Sequence, residues 1–236
     1  MPVDLPRRQT SNRILARLAQ SDFDLLAPGL EMHDLPVRKR LESKHKPIDY
    51  VYFIENGFAS VVAGGTGDRS IEAGIIGREG VTGLAVIMAT GCSPLETYMQ
   101  LGGSGQRLPA ASLRDCMDAS VTLRRTLLNY GHAFFVQTAY TTLANGRNKL
   151  EDRLSRWLLM AHDRIDGDTL ALTHEFLAIM LGVRRPGVTI ALNLMEARGF
   201  IGIHRGVITI IDRKGLEENA NGAYGAPEAE FQRLFG

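Results

Sequence analysis

The spacing of hydrophobic residues along the chain changes at about residue 37 and again after Pro109. Between residues 11 and 35 apolar side chains recur every three or four positions, which predicts two short helices broken near Ser21 and Pro28. From about residue 37 they form short β-type runs separated by Gly, Asn and Pro, which predicts a sandwich or jelly-roll barrel over residues 37–110. The runs are 50–54, 58–62, Ser70–Ile76, 97–101 and 106–108, and the predicted turns are 55–57, 64–68, 91–94 and 102–105.

After Pro109 the helical spacing returns and predicts one long helix over residues 113–145. Two adjacent seven-residue series run along it, and such a repeat is typical of a two-stranded parallel helical seam. A core helix within one domain is the alternative interpretation. The series are Val121, Leu128, Phe135, Thr142 and Leu127, Phe134, Thr141; we expect the helix to dimerise through Leu127, Leu128, Phe134, Phe135 and Thr138.

Residues 145–148 contain two helix breakers and form the candidate hinge. A second amphipathic helix follows over residues 150–165, then a turn at 166–168 and a short strand at 169–172. Thr173 is the expected N-cap of a compact helix over residues 174–181, which Gly182 closes. A further helix opens at Arg184 and ends at Gly199. Helix, glycine-centred turn and helix form the helix-turn-helix arrangement.

The second helix of this pair has a face left free of packing. Apolar residues can pack the two helices together, while Arg184, Arg185, Thr189 and Asn193 occupy the amino-terminal half of the other side. Such a helix suits the DNA major groove, because Arg, Thr and Asn bond bases or phosphate and the helix N-terminus favours an anion. Two strands over residues 200–211 then predict a wing with a basic tip. The candidate DNA-binding residues are Thr173, Val183, Arg184, Arg185, Gly187, Thr189, Asn193, His204 and Arg205.

Charge is segregated along the chain, although its 236 residues carry 27 basic and 26 acidic side chains and a net charge of only +1. Residues 147–214 hold 11 basic and 8 acidic residues, whereas residues 215–236 hold one basic and four acidic. The basic excess therefore falls on the predicted winged helix, as a DNA partner requires. A solvated helix pair with an ordinary hairpin is the alternative interpretation of this segment.

Composition excludes several classes of protein. The chain is 44% hydrophobic with no apolar run of membrane-span length, and its start lacks the apolar centre of a signal peptide, so we expect a soluble cytoplasmic protein. Cys92 and Cys116 are too few for an iron–sulfur cluster, and the six histidines show no ligand spacing. We therefore expect no metal and no cofactor; haem coordination by one histidine of the predicted barrel and a disulfide switch between the two thiols stay open as alternatives.

Across residues 12–212 the sequence resembles the cyclic-AMP receptor / fumarate-nitrate regulator (Crp/Fnr) family of transcription factors. The resemblance rests on residues 52–57 and 74–83 in the predicted barrel and on residues 173–201 in the predicted winged helix. It implies an α+β fold: a jelly-roll sensor barrel of the cyclic-nucleotide-binding type with amino-terminal helices (1–112), a long dimerisation helix (113–145), a winged helix-turn-helix domain (146–214) and an acidic tail (215–236). The implied partners are promoter DNA with two-fold symmetry, a second copy of the chain and RNA polymerase, with no membrane.

The sequence also departs from the family pattern. Members that read the common half-site carry a Glu and a second Arg where this chain has Pro186 and Ile190, so Arg185 is the one base-reading residue of that set retained. In the sensor barrel, residues 91–97 lack the Arg that pairs with the phosphate of a cyclic nucleotide. A buried phosphate without a cation is costly, so we do not expect cyclic AMP in the usual mode. Arg69, Arg78 and Arg107 lie elsewhere in the sequence.

The effector of the predicted barrel is unknown. The candidate pocket residues are Gly74, Gly77, Arg78, Glu79, Gly80 and Thr97. The local pattern of Gly74, Gly77, Gly80 and Gly83 favours the alternative interpretation, in which these glycines form tight barrel turns. We expect no enzyme, because the glycine runs at 64–67 and 102–105 match no phosphate loop and no nucleophile elbow is present. The alternative function is a small-molecule binding module that acts through protein contacts.

Overall fold

The computed structural model describes residues 10–64 and 70–236, a mixed α+β chain. Residues 65–69, with most of the predicted turn at 64–68 and Arg69, lie outside the described residues. The helices are α1 (Arg13–Arg17), α2 (Gln20–Leu26), α3 (Leu84–Ile87), α4 (Ala110–Ala119), α5 (Val121–Arg147), α6 (Leu150–His162), α7 (His174–Leu181), α8 (Arg185–Ala197), α9 (Arg213–Asn219) and α10 (Ala226–Phe235). The strands are β1 (Glu31–Leu35), β2 (Arg40–Glu42), β3 (Tyr50–Gly64), β4 (Ser70–Ile76), β5 (Glu96–Pro109), β6 (Thr169–Ala171), β7 (Ile201–His204) and β8 (Val207–Ile210).

By its internal contacts the chain forms two compact units. The first contains the residues up to Val61, Ile76–Phe134 and Phe235; the second contains Val62–Ile75, Phe135–Leu234 and Gly236. In the first unit, Tyr52, Ile54, Met99 and Phe134 belong to a common apolar core. In the second, buried leucines of α6, α7 and α8 form the core.

The larger sheet is built from long strands. Its order is β1-β5-β3-β4, and β2 also pairs with β5. The turns predicted at 55–57 and 102–105 were wrong, because β3 and β5 each continue through them. In the antiparallel β1–β5 pair, Leu35 lies opposite Gly103 and His33 opposite Gly105.

Close approach of two backbones explains the glycines inside β3 and β5. A Cβ added at Gly103 would lie 2.1 Å from the carbonyl oxygen of Asn56, and one at Gly57 would lie 2.4 Å from that of Leu101. Gly57 also has a φ of 72°, which side-chain-bearing residues rarely adopt. Glycine in a strand marks such contacts and irregularities as well as turns.

The predicted amino-terminal helices are shorter than expected, and residues 31–35 form strand β1. The first helix begins at buried Asn12, whose side-chain oxygen accepts hydrogen bonds from the backbone N–H groups of Ile14 and Leu15. Its amide also donates to the carbonyl oxygens of Ile54 (2.9 Å) and Gly80 (2.8 Å). One polar side chain therefore both caps α1 and satisfies backbone groups in the same unit.

The stretch predicted as one helix over 113–145 is two helices, α4 and α5, separated at Ser120. Ser120 has an extended backbone, and its hydroxyl accepts a hydrogen bond from the N–H of Leu123, as an N-cap does. The same hydroxyl donates to the buried carboxylate of Asp22 at 2.6 Å, and Thr122 donates to it at 2.7 Å. The spacing of apolar residues continues unchanged through Ser120, so it gives no sign of these polar contacts or of the helix break.

Residues beyond 214, predicted as an acidic tail, form two helices. Asp212 caps α9, accepting a hydrogen bond from the N–H of Gly215 at 2.9 Å, and Leu216 of α9 is buried. Asn219 donates to the hydroxyl of Ser155 in α6 at 2.8 Å, so α9 packs on the helical core of the second unit.

Among the described residues no single helix is long and apolar enough to cross a membrane. Only α7 and α8 taken together, with a bend of 107° between them, have the length and apolar composition of a membrane span.

A buried polar cluster joins β4 to the helices of the second unit. The indole N–H of Trp157 in α6 donates to the carboxylate of Glu72 at 2.7 Å, and both side chains are buried. The backbone N–H of Ile75 donates to the side-chain oxygen of Gln137 in α5 at 2.7 Å. Burial lowers the pKa of Arg156, and the carboxylates of Glu228 and Glu72 oppose that effect.

Glu72→Ala is expected to lower the free energy of unfolding by about 1–3 kcal/mol, because it removes a buried acceptor of a charge-assisted hydrogen bond. Glu72→Gln keeps an acceptor for the indole N–H and is expected to cost less. Urea unfolding followed by the fluorescence of Trp157, the only tryptophan of the chain, measures both. Equal stability of Glu72→Ala and the wild type would contradict the assigned role.

The buried carboxyl of Glu42 in the first unit is expected to make the stability of the protein depend on pH. Burial raises the pKa of this carboxyl, while hydrogen bonds from the N–H of Gly83 (2.9 Å) and from Thr97 act in the opposite direction. The folded state therefore holds a proton that the unfolded state has lost above about pH 4.3. The free energy of unfolding is expected to fall as pH rises from there through the raised pKa.

Glu42→Gln is expected to abolish this decline, so that the variant matches the wild type at low pH and exceeds its stability at neutral pH. Thermal unfolding at a series of pH values tests the expectation. Parallel pH profiles of the two proteins would show that Glu42 does not titrate with folding.

Candidate nucleic-acid interface

Helices α7 and α8 form the predicted helix-turn-helix. Thr173 caps α7 as expected, accepting a hydrogen bond from the N–H of Phe176 at 3.1 Å. Gly182 ends the helix with a φ of 62°, the left-handed conformation that glycine adopts without strain. The chain then turns so that α8 runs at 107° to α7. These features confirm the sequence-based expectation for this segment.

Burial divides α8 into two faces. One face packs into the unit, and its buried residues are Val188, Ala191, Leu192 and Met195. Arg184, Arg185 and Asn193 are exposed on the rest of the helix. Arg184 is the N-cap residue, and the first turn contains no acidic side chain. The positive end of the helix dipole and two guanidinium groups therefore lie together at one solvent-facing helix end.

The other three candidates around the turn differ in environment. The hydroxyl of Thr189 lies 2.9 Å from Nδ1 of His174 and donates to the carbonyl oxygen of Arg185 at 3.3 Å. Val183 and Gly187 are half-buried, and a Cβ at Gly187 would lie 3.3 Å from Leu150 of α6. Thr189 thus already bonds within the domain, and Gly187 faces the packing side of α8.

The wing is a β-hairpin with a two-residue tip. The smaller sheet has the order β6-β8-β7, and the chain reverses at Arg205 and Gly206 with φ values of 48° and 80°. Two successive positive φ values suit the twist of a tight hairpin. His204 and Arg205 are exposed. The N–H of Ile203 donates to the carboxylate of Glu196 in α8 at 2.8 Å, which ties the wing to the second helix.

Two further features of this region lie outside the predicted residue set. The guanidinium group of Arg153 in α6 donates to the carbonyl oxygen of Leu181 at the end of α7, and burial lowers the pKa of Arg153. Ile190 and Leu194 are exposed apolar residues of α8. The four-residue spacing between Ile190 and Leu194 could have predicted that they share one face of α8. Nothing in the sequence predicts the hydrogen bond from Arg153 to Leu181.

The predicted dimerisation residues fall into two groups. Leu127 and Phe134 are buried within the chain, because their series faces inward against the apolar core of the first unit. The neighbouring series faces solvent: Val121 is 77% exposed, Leu128 47% and Phe135 65%. Thr138 is half-buried. The exposed face of α5 therefore carries one of the two predicted series.

The predicted effector residues lie at the end of β4, in the turn after it and in β5. The N–H of Gly77 donates to the carboxylate of Glu79 at 3.1 Å. A Cβ at Gly80 would lie 2.2 Å from the phenolic oxygen of Tyr130, so this glycine permits a close contact with α5. Thr97 is buried and bonds to Glu42. Gly74 is buried and Arg78 half-buried.

Arg107 is engaged elsewhere. Its guanidinium group donates to the carboxylate of Glu31 at 2.6 Å and lies 4.2 Å from the ring centre of Tyr50. A groove of about 430 Å³ in the first unit is lined by other residues, with Asp49, Cys92 and Arg114 among them. None of the predicted effector residues lines this groove.

Comparison with known proteins agrees with the geometry. Residues 152–219 match the model of the Crp-like helix-turn-helix domain. No curated protein matches the chain. Among solved structures, a transcriptional regulator of the Crp/Fnr family from Eubacterium rectale is 18% identical, with a TM-score of 0.70 over 89% of this chain and 98% of its own.

Two further structures are similar. FixK2 from Bradyrhizobium japonicum is 17% identical, with a TM-score of 0.67 over 80% of this chain and 96% of its own. A CRP-family transcriptional regulator from Thermus thermophilus is 18% identical, with a TM-score of 0.68 over 82% of this chain and 99% of its own. The chain therefore has the fold of the Crp/Fnr transcriptional regulators and contains, over residues 152–219, a Crp-like helix-turn-helix domain.

Proposed function

We propose that the protein is a sequence-specific transcription regulator of the Crp/Fnr type, which binds a two-fold symmetric promoter site as a homodimer and contacts RNA polymerase there. The observation that carries the proposal is the exposed amino-terminal end of α8, where Arg184 and Arg185 meet the positive helix end. The burial of the opposite face of α8 supports it, because a helix that reads DNA must be held in place by its own domain.

The arrangement suits B-DNA in both charge and shape. An α-helix fits the major groove, where Arg bonds the O6 and N7 edge of guanine and Asn that of adenine. Arg185 and Asn193 are exposed and available for such contacts. The wing tip at Arg205 and the helix N-terminus can hold phosphates, which fix the register of the protein on the duplex.

Dimerisation through α5 is the second part of the proposal. Its support is the exposed seven-residue series of Val121, Leu128 and Phe135, which a single copy of the chain leaves in water. Two copies related by a two-fold axis would present two α8 helices to half-sites about one helical turn of DNA apart. A palindromic site follows from that symmetry.

The sensor unit is proposed to respond to an effector other than cyclic AMP bound in the usual mode. In the stretch 91–97 no arginine is present, and Arg107 pairs with Glu31. The phosphodiester of a cyclic nucleotide carries one negative charge, and in a largely buried site it needs a cation close to it.

Arg185→Ala is expected to weaken binding to DNA from the protein's own promoter region by about tenfold or more, since a direct base contact is worth about 1–3 kcal/mol. Wild-type affinity should fall steeply with salt because phosphate contacts release counterions. Mobility-shift titrations at several salt concentrations measure both. Arg17→Ala, an exposed arginine of α1, is the matched control; salt-insensitive binding that is equal for all three proteins would overturn the proposed DNA binding.

Phe135→Glu is expected to raise the dimer dissociation constant by on the order of 100-fold, because each of two copies loses the burial of a large apolar side chain. Light scattering coupled to size-exclusion chromatography gives the mass. Met32→Glu places the same charge at an exposed apolar position of β1 and should leave the mass unchanged. A wild-type monomer at micromolar concentration, or a Phe135→Glu dimer as tight as the wild type, would contradict dimerisation through α5.

A further inference from the structure

Two parallel rows of side chains run along the part of α8 that does not pack. Arg185, Thr189 and Asn193 form a polar row, and Pro186, Ile190 and Leu194 form an apolar row beside it. Residues four apart lie on one side of a helix, so each row follows the helix axis. Ile190 is 61% exposed and Leu194 is 42% exposed. The apolar row is therefore a feature of the outer surface of the domain and not an edge of its core.

The side chain of Ile190 limits what it can recognise. It has no hydrogen-bond donor or acceptor, so it cannot distinguish the polar edges of guanine, adenine or cytosine. The one apolar group in the major groove that differs between base pairs is the C5-methyl group of thymine. An exposed isoleucine in mid-helix, next to a row of polar side chains, is thus chemically matched to a methyl group among polar base edges.

Charge around the apolar row favours DNA over a protein partner. Arg184 and Arg185 lie at the start of the same helix, whose first turn has no acidic residue. The row of Ile190 and Leu194 is too narrow to form the apolar centre of a protein interface by itself. A duplex supplies phosphates for the cationic end and methyl groups for the apolar row at once.

We propose that Ile190 is a specificity-determining residue that packs against the C5-methyl group of a thymine in each half-site. This inference rests on the proposed DNA binding and adds to it a property of the operator. The half-site then contains a T·A pair opposite the middle of α8. Loss of one methyl contact reduces affinity about fourfold per half-site, the equivalent of burying one methyl-sized group.

Deoxyuridine provides the test because it pairs like thymine and lacks only the C5-methyl group. Binding sites are first selected from a pool of random duplexes with the full-length wild-type protein. Each thymine of the selected half-site is then replaced by deoxyuridine, and mobility-shift titrations give the affinities. One thymine should show a loss of about fourfold, and about 16-fold when both half-sites of a dimer carry the change.

Variants of Ile190 identify the side chain that makes the contact. Ile190→Ala should bind the thymine and deoxyuridine duplexes equally, whereas Ile190→Val, which keeps methyl groups at the same place, should retain part of the discrimination. Ile211→Ala, an exposed isoleucine after the wing, is the matched control and should discriminate as the wild type does. Circular dichroism of each variant checks that it is folded.

The outcomes separate this inference from the proposed function. Selection of a specific sequence in which no thymine responds to deoxyuridine, or in which Ile190→Ala still discriminates as the wild type does, would overturn the role of Ile190 and leave DNA binding intact. The role of Ile190 would also be overturned if Leu194→Ala lost the discrimination between thymine and deoxyuridine while Ile190→Ala kept it. Absence of any selected sequence, together with an unchanged affinity of Arg185→Ala, would overturn both.

Discussion

The packing of one face of α8 is the constraint on which the functional geometry depends. Val188, Ala191, Leu192 and Met195 recur every three or four residues and are all buried. Because a helix turns by a fixed angle per residue, burying that face directs the polar and the apolar rows outward. Gly182 makes the sharp turn before α8 possible, since its backbone adopts a positive φ. The exposed surface of α8 is thus a consequence of its core face.

Polar contacts hold the elements around this helix in place. Arg153 donates to the end of α7, and Glu196 of α8 accepts from the wing at Ile203. The buried bond between Trp157 and Glu72 joins strand β4 to α6, so a strand of the larger sheet belongs to the same compact unit as the helix-turn-helix. Arg213 and Tyr224 both bond to Asp163, and burial together with that carboxylate raises the pKa of Tyr224. Such bonds are worth more when buried, because water cannot replace the lost partner.

The first unit carries the chemistry that distinguishes the proposed sensor. Its glycines at positions 57 and 103 let two strands approach closely, and Gly80 admits the ring of Tyr130. Glu42 is buried with hydrogen bonds from Gly83 and Thr97, in a unit where Arg107 pairs with Glu31 on the surface.

Local rules were sufficient for the helix-turn-helix. The N-cap at Thr173, the left-handed Gly182 and the inward face of α8 follow from capping, backbone sterics and helical period, which neighbouring residues specify. The sequence by itself also located the basic excess of residues 147–214 and the basic tip of the wing.

Only the tertiary structure decided the features that depend on residues far apart in the sequence. The glycines at 102–105 lie within a strand because their backbones meet Asn56 and β1, and an isolated glycine run is indistinguishable from a turn. The predicted long helix is divided at Ser120, because the hydroxyl of Ser120 donates a hydrogen bond to the carboxylate of Asp22. The two seven-residue series of α5 look alike in the sequence, yet Leu127 is buried and Leu128 is exposed, because the protein core covers only one side of the helix. Period identifies the faces of a helix; long-range packing selects which face is covered.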